Sequence, residues 1–112
     1  MIGDVKGRTA VIVDDMIDTA GTLKAAAKTV MEEGATRVYA AATHAVFSGN
    51  AFENLVESGL EQIVVTDTIP IATSRPANVR VLPCAELLAD SIRRIFVDDS
   101  VSEVFGGENQ LF

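Results

Sequence analysis

Short runs of aliphatic and β-branched residues alternate along the chain with segments whose apolar positions recur at helical spacing. The two periods mark strands and helices respectively. Thr9–Val13 reads as a strand, apolar throughout and so expected to be buried on both faces. Thr22–Glu33 reads as a helix, with Leu23, Ala26, Ala27, Val30 and Met31 on one face and Lys24, Lys28 and Glu32 on the other. Gly34 stands where a helix ends. Arg37–Ala42 is the second strand, and Ala51–Ser58 a shorter helix with Phe52, Leu55 and Val56 on one side. Gln62–Thr66 is a third, buried-type strand and Val79–Leu82 a fourth. Between them Pro70, Pro76 and the polar stretch Ala72–Asn78 make the one long irregular connection. Ala85–Phe96 closes the series as a helix, with Leu88, Ile92, Ile95 and Phe96 expected to face inward.

This alternation predicts parallel strands joined by helical crossovers, an α/β sheet covered on both faces. Ligands of such sheets bind beyond the carboxyl ends of the strands. Polar residues collect there: Asp14 and Asp15 after the first strand, Thr43 and His44 after the second, Asp67 and Thr68 after the third.

The segment with most chemistry is Val11-Ile12-Val13-Asp14-Asp15-Met16-Ile17-Asp18-Thr19-Ala20-Gly21-Thr22. Ala20 and Gly21 let backbone approach a ligand closely, and Gly21 is the expected site of a positive φ. The first N–H groups of the following helix lack internal partners and carry the positive end of its dipole, so they attract phosphate. Thr19 and Thr22 can add hydroxyls. The Asp14–Asp15 pair can accept hydrogen bonds from two vicinal sugar hydroxyls, or help hold a hydrated Mg²⁺. A phosphate at one end and a diol at the other describe a pentose 5-phosphate. Helix capping is the plainer use for an acid or threonine before a helix. Two adjacent acids after a hydrophobic strand, with Asp-Thr-Ala-Gly-Thr just beyond, exceed what a cap requires.

Charge and composition narrow the partners. The formal net charge of −7 disfavours nucleic acid, whose phosphates call for a basic surface. It leaves small phosphorylated ligands open, because backbone N–H groups hold phosphate without lysine. No apolar run approaches the roughly 18 residues of a membrane span, and residues 1–7 carry no signal-peptide pattern, so a cytoplasmic location is the expectation. The single cysteine, Cys84, reads as a packing residue, and the single histidine, His44, as structural or ligand-adjacent. Asp90 lies one turn before Arg94, as in a solvated intrahelical pair.

The acidic-pair loop resembles the phosphoribosyl-binding loop of type I phosphoribosyltransferases and, in its wording Asp14-Asp15-Met16-Ile17-Asp18-Thr19-Ala20-Gly21-Thr22, that of ribose-phosphate pyrophosphokinases. Further stretches resemble the same enzymes in order: Ile2-Gly3-Asp4-Val5, then Ala42-Thr43-His44-Ala45-Val46-Phe47-Ser48-Gly49, then Val64-Val65-Thr66-Asp67-Thr68-Ile69-Pro70, and Ser100-Val101-Ser102 followed by Phe105. The resemblance implies a partial C-terminal phosphoribosyltransferase-like domain over residues 1–105, with 106–112 as a flexible tail. It implies transfer of diphosphate from ATP to ribose 5-phosphate, with Mg²⁺, giving phosphoribosyl pyrophosphate and AMP. Asp18, Thr19, Ala20, Gly21 and Thr22 would hold the 5-phosphate, and Asp14 and Asp15 the ribose hydroxyls. Ser100 and Ser102 match a regulatory segment that binds phosphate or ADP between subunits, which implies a homo-oligomer. The ATP-binding domain of those enzymes and their basic catalytic loop are not in this sequence, and no lysine or arginine lies between Arg8 and Lys24. The expectation is sugar-phosphate binding without turnover by this chain alone. Two other readings share the loop: a phosphoribosyltransferase, which would need a base-recognition hood, and a non-catalytic subunit that senses phosphoribosyl compounds.

Overall fold

The computed structural model describes residues 3–97. Ser100, Ser102 and the expected tail lie outside the described residues. The elements run β1 (Thr9–Ile17), α1 (Gly21–Glu32), β2 (Arg37–Ala45), α2 (Ala51–Glu57), β3 (Ile63–Thr66), β4 (Val79–Leu82) and α3 (Ala85–Phe96). The chain forms two compact units, one ending at Leu82 and one beginning at Pro83.

The first unit is a four-stranded sheet in the order β1-β2-β3-β4. Every pairing is parallel, as the alternation of periods predicts. Val38, Ala40 and Ala42 of β2 are buried at every second position, as are Ile63 and Val65 of β3, with Val79 of β4 beside them. These residues form the core under α1 and α2. α1 contributes Ala27, fully buried, with Leu23, Val30 and Met31 packed around it. α2 contributes Leu55, also fully buried, and Phe52, whose ring meets Phe47 edge-on at 5.7 Å between centroids. The two helices touch through a Lys24–Glu57 ion pair of 2.5 Å and through Met31, which lies against Gly59.

Four expectations change. β1 is not buried on both faces: Val11 and Val13 are 60% and 76% exposed. Within the first unit both helices lie on one face of the sheet, because successive crossovers of one hand moving in one direction put them on the same side. The β3–β4 crossover is irregular, as Pro70, Pro76 and the polar stretch Ala72–Asn78 predict. β1 and β2 also run further than their apolar cores suggest, to Ile17 and Ala45, since ladder pairing such as Asp14 with Ala42 and Met16 with His44 is made by backbone. Asp14, Asp15, Thr43 and His44 are therefore strand residues. Val56 faces solvent, because the stripe of α2 that meets the sheet is Ala51, Leu55 and the following Ser58.

In the second unit, α3 is an amphipathic helix with Glu86 in its first turn and Arg93 and Arg94 in its last, charges that complement its dipole. Leu88, Ile92, Ile95 and Phe96 are exposed, contrary to the expectation that they face inward. Among the described residues of that unit α3 is the one regular element, so no second layer is there to cover its apolar side.

Candidate phosphate-binding loop and acidic pair

β1 carries the chain to Ile17 and α1 starts at Gly21, so Asp18, Thr19 and Ala20 make the whole turn between them. The turn is this short because Ala20 is left-handed, at φ 66 and ψ 10. Sequence reasoning puts the positive φ at Gly21; the structure puts it one residue earlier, on a buried alanine. A left-handed alanine costs about 1–2 kcal/mol and persists where its surroundings over-determine it.

Those surroundings are specific. The Ala20 carbonyl accepts the first helical N–H, from Lys24, at 2.9 Å. The Asn54 side-chain amide, on α2, donates to the Thr19 carbonyl at 2.8 Å. The Ser48 hydroxyl donates to the Asp18 carboxylate, and the Ser48 N–H to the Asp18 carbonyl. The Thr19 hydroxyl accepts a long bond of 3.4 Å from Gly21 N–H. The β2–α2 connection and α2 thus hold the turn from one side.

The capping alternative can be judged from this geometry. The N-cap residue of α1 is Ala20, which makes no side-chain cap, and the first turn holds no acidic residue. Neither Asp18 nor Thr22 caps the helix, and of the capping candidates Thr19 alone bonds a helical N–H, the long contact to Gly21. A left-handed residue followed by a helical one turns successive N–H groups toward a common point, an arrangement that receives anions. The helix dipole adds to it.

Beside the turn lies a cavity of about 260 Å³, lined by Asp14, Asp18, Thr19, Ala20 and Thr22 among others. The structure brings these five expected residues together. Asp15 and Gly21 do not line it. Asp15 follows Asp14 on a strand and so points to the other face of the sheet, its N–H donating to the Asp14 carboxylate at 2.8 Å. Gly21 borders a separate groove with Lys24 and Glu57. A sugar that reaches both acids has to lie across the end of β1 rather than inside the cavity.

The ends of β2 and β3 are tied to each other. His44 Nδ1 and the Thr68 hydroxyl are 2.7 Å apart, and the Thr66 hydroxyl donates to the Thr43 carbonyl at 2.7 Å. Among the described residues no three histidine, cysteine or carboxylate side chains group as a metal cage. With Asp14 and Asp15 on opposite faces, the protein donors do not fit a resident Mg²⁺.

Ser48 and Asn54 are the site residues that sequence reasoning did not single out for a role. Asn54 carries a readable signal: it is a polar residue three positions from Ala51, on the stripe of α2 that otherwise meets the sheet.

A parallel sheet whose first strand ends in an acidic pair and a tight turn into a helix defines an α/β domain of phosphoribosyltransferase type. Residues 1–106 match the family model described as phosphoribosyl synthetase-associated domain, and the chain belongs to that family. A ribose-phosphate pyrophosphokinase of Pasteurella multocida is 53% identical over 107 residues, which are 94% of this chain and 34% of that protein. One from a Nostoc species is 56% identical over 106 residues, 94% of this chain and 32% of the relative. The crystal structure of phosphoribosylpyrophosphate synthetase from Mycobacterium smegmatis superposes with a TM-score of 0.82 at 45% identity, covering 87% of this chain and 33% of that one. The chain therefore spans about a third of the length of the relatives it matches. No helix among the described residues is long and apolar enough to cross a membrane.

Proposed function

We propose that this chain is the ribose 5-phosphate-holding portion of an enzyme that transfers diphosphate from ATP to the sugar's 1-hydroxyl. The observation that carries the reading is the turn at Ala20: a left-handed residue leading into a helix whose N-cap makes no side-chain bond, beside Asp14. The 5-phosphate sits on the N–H groups of residues 20–22, with the hydroxyls of Thr19 and Thr22 as further donors. Asp14, from the cavity side, and Asp15, from across the strand, accept hydrogen bonds from the ribose hydroxyls. The Asp18 carboxylate is better suited to holding the turn than to touching phosphate, since it already accepts from Ser48. ATP and Mg²⁺ belong to the reaction of the longer enzyme, the metal entering on phosphate oxygens rather than in a protein cage.

By itself the chain binds and does not turn over. Diphosphoryl transfer depends on cationic groups that neutralise charge growing on the transferred phosphates. No lysine or arginine lines the cavity.

The test is a titration of this chain with ribose 5-phosphate, with and without Mg²⁺, followed by backbone amide resonances. Ribose and inorganic phosphate serve as separate controls. The amides of residues 18–22 should shift saturably with the sugar phosphate. Asp14→Asn, which removes a charged acceptor, should weaken binding by about tenfold or more. A well-dispersed spectrum in which none of these amides moves would refute the reading.

A further inference from the structure

We infer that Ser48 and Asn54 are positioning residues that set the phosphate-accepting form of the turn without touching the ligand; this rests on the function proposed above. Ser48, just before α2, and Asn54, on α2, reach the turn across 30 and 35 residues of sequence, Ser48 to Asp18 and Asn54 to Thr19.

One peptide plane, between Thr19 and Ala20, links these bonds to the turn. In a trans peptide the C=O and the next N–H point in opposite directions. The Asn54 amide fixes the Thr19 carbonyl toward α2 at 2.8 Å. The Ala20 N–H is thereby turned away from α2, and the plane is held on the near side of a residue whose φ of 66 an alanine does not adopt unaided. One residue further back, the Ser48 hydroxyl takes the Asp18 carboxylate, which otherwise stands as a negative charge free to swing beside an incoming phosphate. The segment that supplies both groups is itself braced. Phe47 has a φ of 50, its N–H donates to the Ile17 carbonyl at 3.2 Å, and its ring packs on Phe52. Positive φ at a bulky residue is strained and needs such support. Two left-handed residues on facing loops, joined by side-chain bonds, therefore constitute one arrangement, of which only the Thr19–Thr22 part meets ligand.

The experiment uses four variants of this chain: Asn54→Asp, which keeps shape but replaces the donor with a repelling acceptor; Ser48→Ala; Ser48→Thr, which keeps the hydroxyl; and Glu53→Gln, an exposed neighbour on the same helix. Two readouts are taken for each: the Ala20 ¹³C shifts that report a left-handed backbone, and the affinity for ribose 5-phosphate. The expected result is loss of the left-handed signature and at least about tenfold weaker binding in Asn54→Asp and Ser48→Ala, with Ser48→Thr and Glu53→Gln near the parent. Thermal unfolding of each variant separates this from general unfolding. An unchanged Ala20 signature and affinity in both variants overturns the inference, as does a parent chain whose Ala20 is not left-handed. If the variants lose the signature but the parent binds no sugar phosphate, the positioning stands and the proposed ligand falls.

Discussion

Gly59 and Ala20 both occupy left-handed backbone, and they illustrate two ways of meeting its cost. Gly59, at φ 76, ends the α2 region where Met31 of α1 lies against it. A Cβ there would come within 2.9 Å of the Met31 methyl. Gly59→Ala should therefore cost about 1–3 kcal/mol, combining the left-handed penalty with overpacking that a flexible methionine only partly relieves. Urea unfolding measures it: a midpoint equal to the parent's would show the position to be unconstrained. Ala20 bears the same penalty without glycine's exemption, beside a residue that could have taken it freely. The identity of the loop residues is legible in sequence, but which of them turns left-handed is decided by bonds from Ser48 and Asn54, far along the chain. Local chemistry points to Gly21; tertiary contacts choose Ala20.

Among the elements, β4 and α3 have the bounds that sequence predicts, and α1, α2 and β3 come within a residue of theirs, because apolar spacing displays the period of the backbone. β1 and β2 are longer than expected because strand pairing tolerates polar side chains that project into solvent. The resulting parity separates Asp14 from Asp15, a distinction invisible while both were read as residues of a loop. α3 is legible as a helix from the spacing of Leu88, Ile92, Ile95 and Phe96, and its sequence also displays an internal ion pair. The guanidinium of Arg93, and then that of Arg94, hold the Asp90 carboxyl below its ordinary value by hydrogen bonding, at 3.1 and 3.3 Å. A depressed carboxyl stabilises the folded helix above the unfolded value of about 3.9, and the contribution is lost as pH falls through the lower, folded value. Helicity of α3 should thus decline in acid below about pH 4, and Asp90→Asn should flatten that part of the circular-dichroism profile. An identical profile in the variant would show the pair to be inconsequential.

On the largest scale, the first unit has both of its helices on one face of the sheet, and β1 is bare on the other. Val11 and Val13 project from β1 with no layer over them, and among the described residues β1 pairs on one edge only. An apolar strand with an unpaired edge invites pairing with another chain. Concentration-dependent association is expected in light scattering, and Val13→Lys, a charge in the middle of the exposed strand, should reduce it. A parent chain that stays monomeric at high concentration would contradict this. The parallel α/β class was legible from alternating periods. The one-sided covering was not, because pattern alone does not say on which side a crossover falls.

The bridge from Asn54 to Thr19 also bears on how occupancy and folding are coupled. Ligand that binds only the folded turn stabilises it by mass action, about 2.7 kcal/mol at a hundredfold excess over its dissociation constant. Because the turn is tied to α2, and α2 is anchored by the fully buried Leu55, that free energy is not confined to the loop. The core beneath both helices shares it, so the substrate of such a site acts as part of the fold's own cohesion.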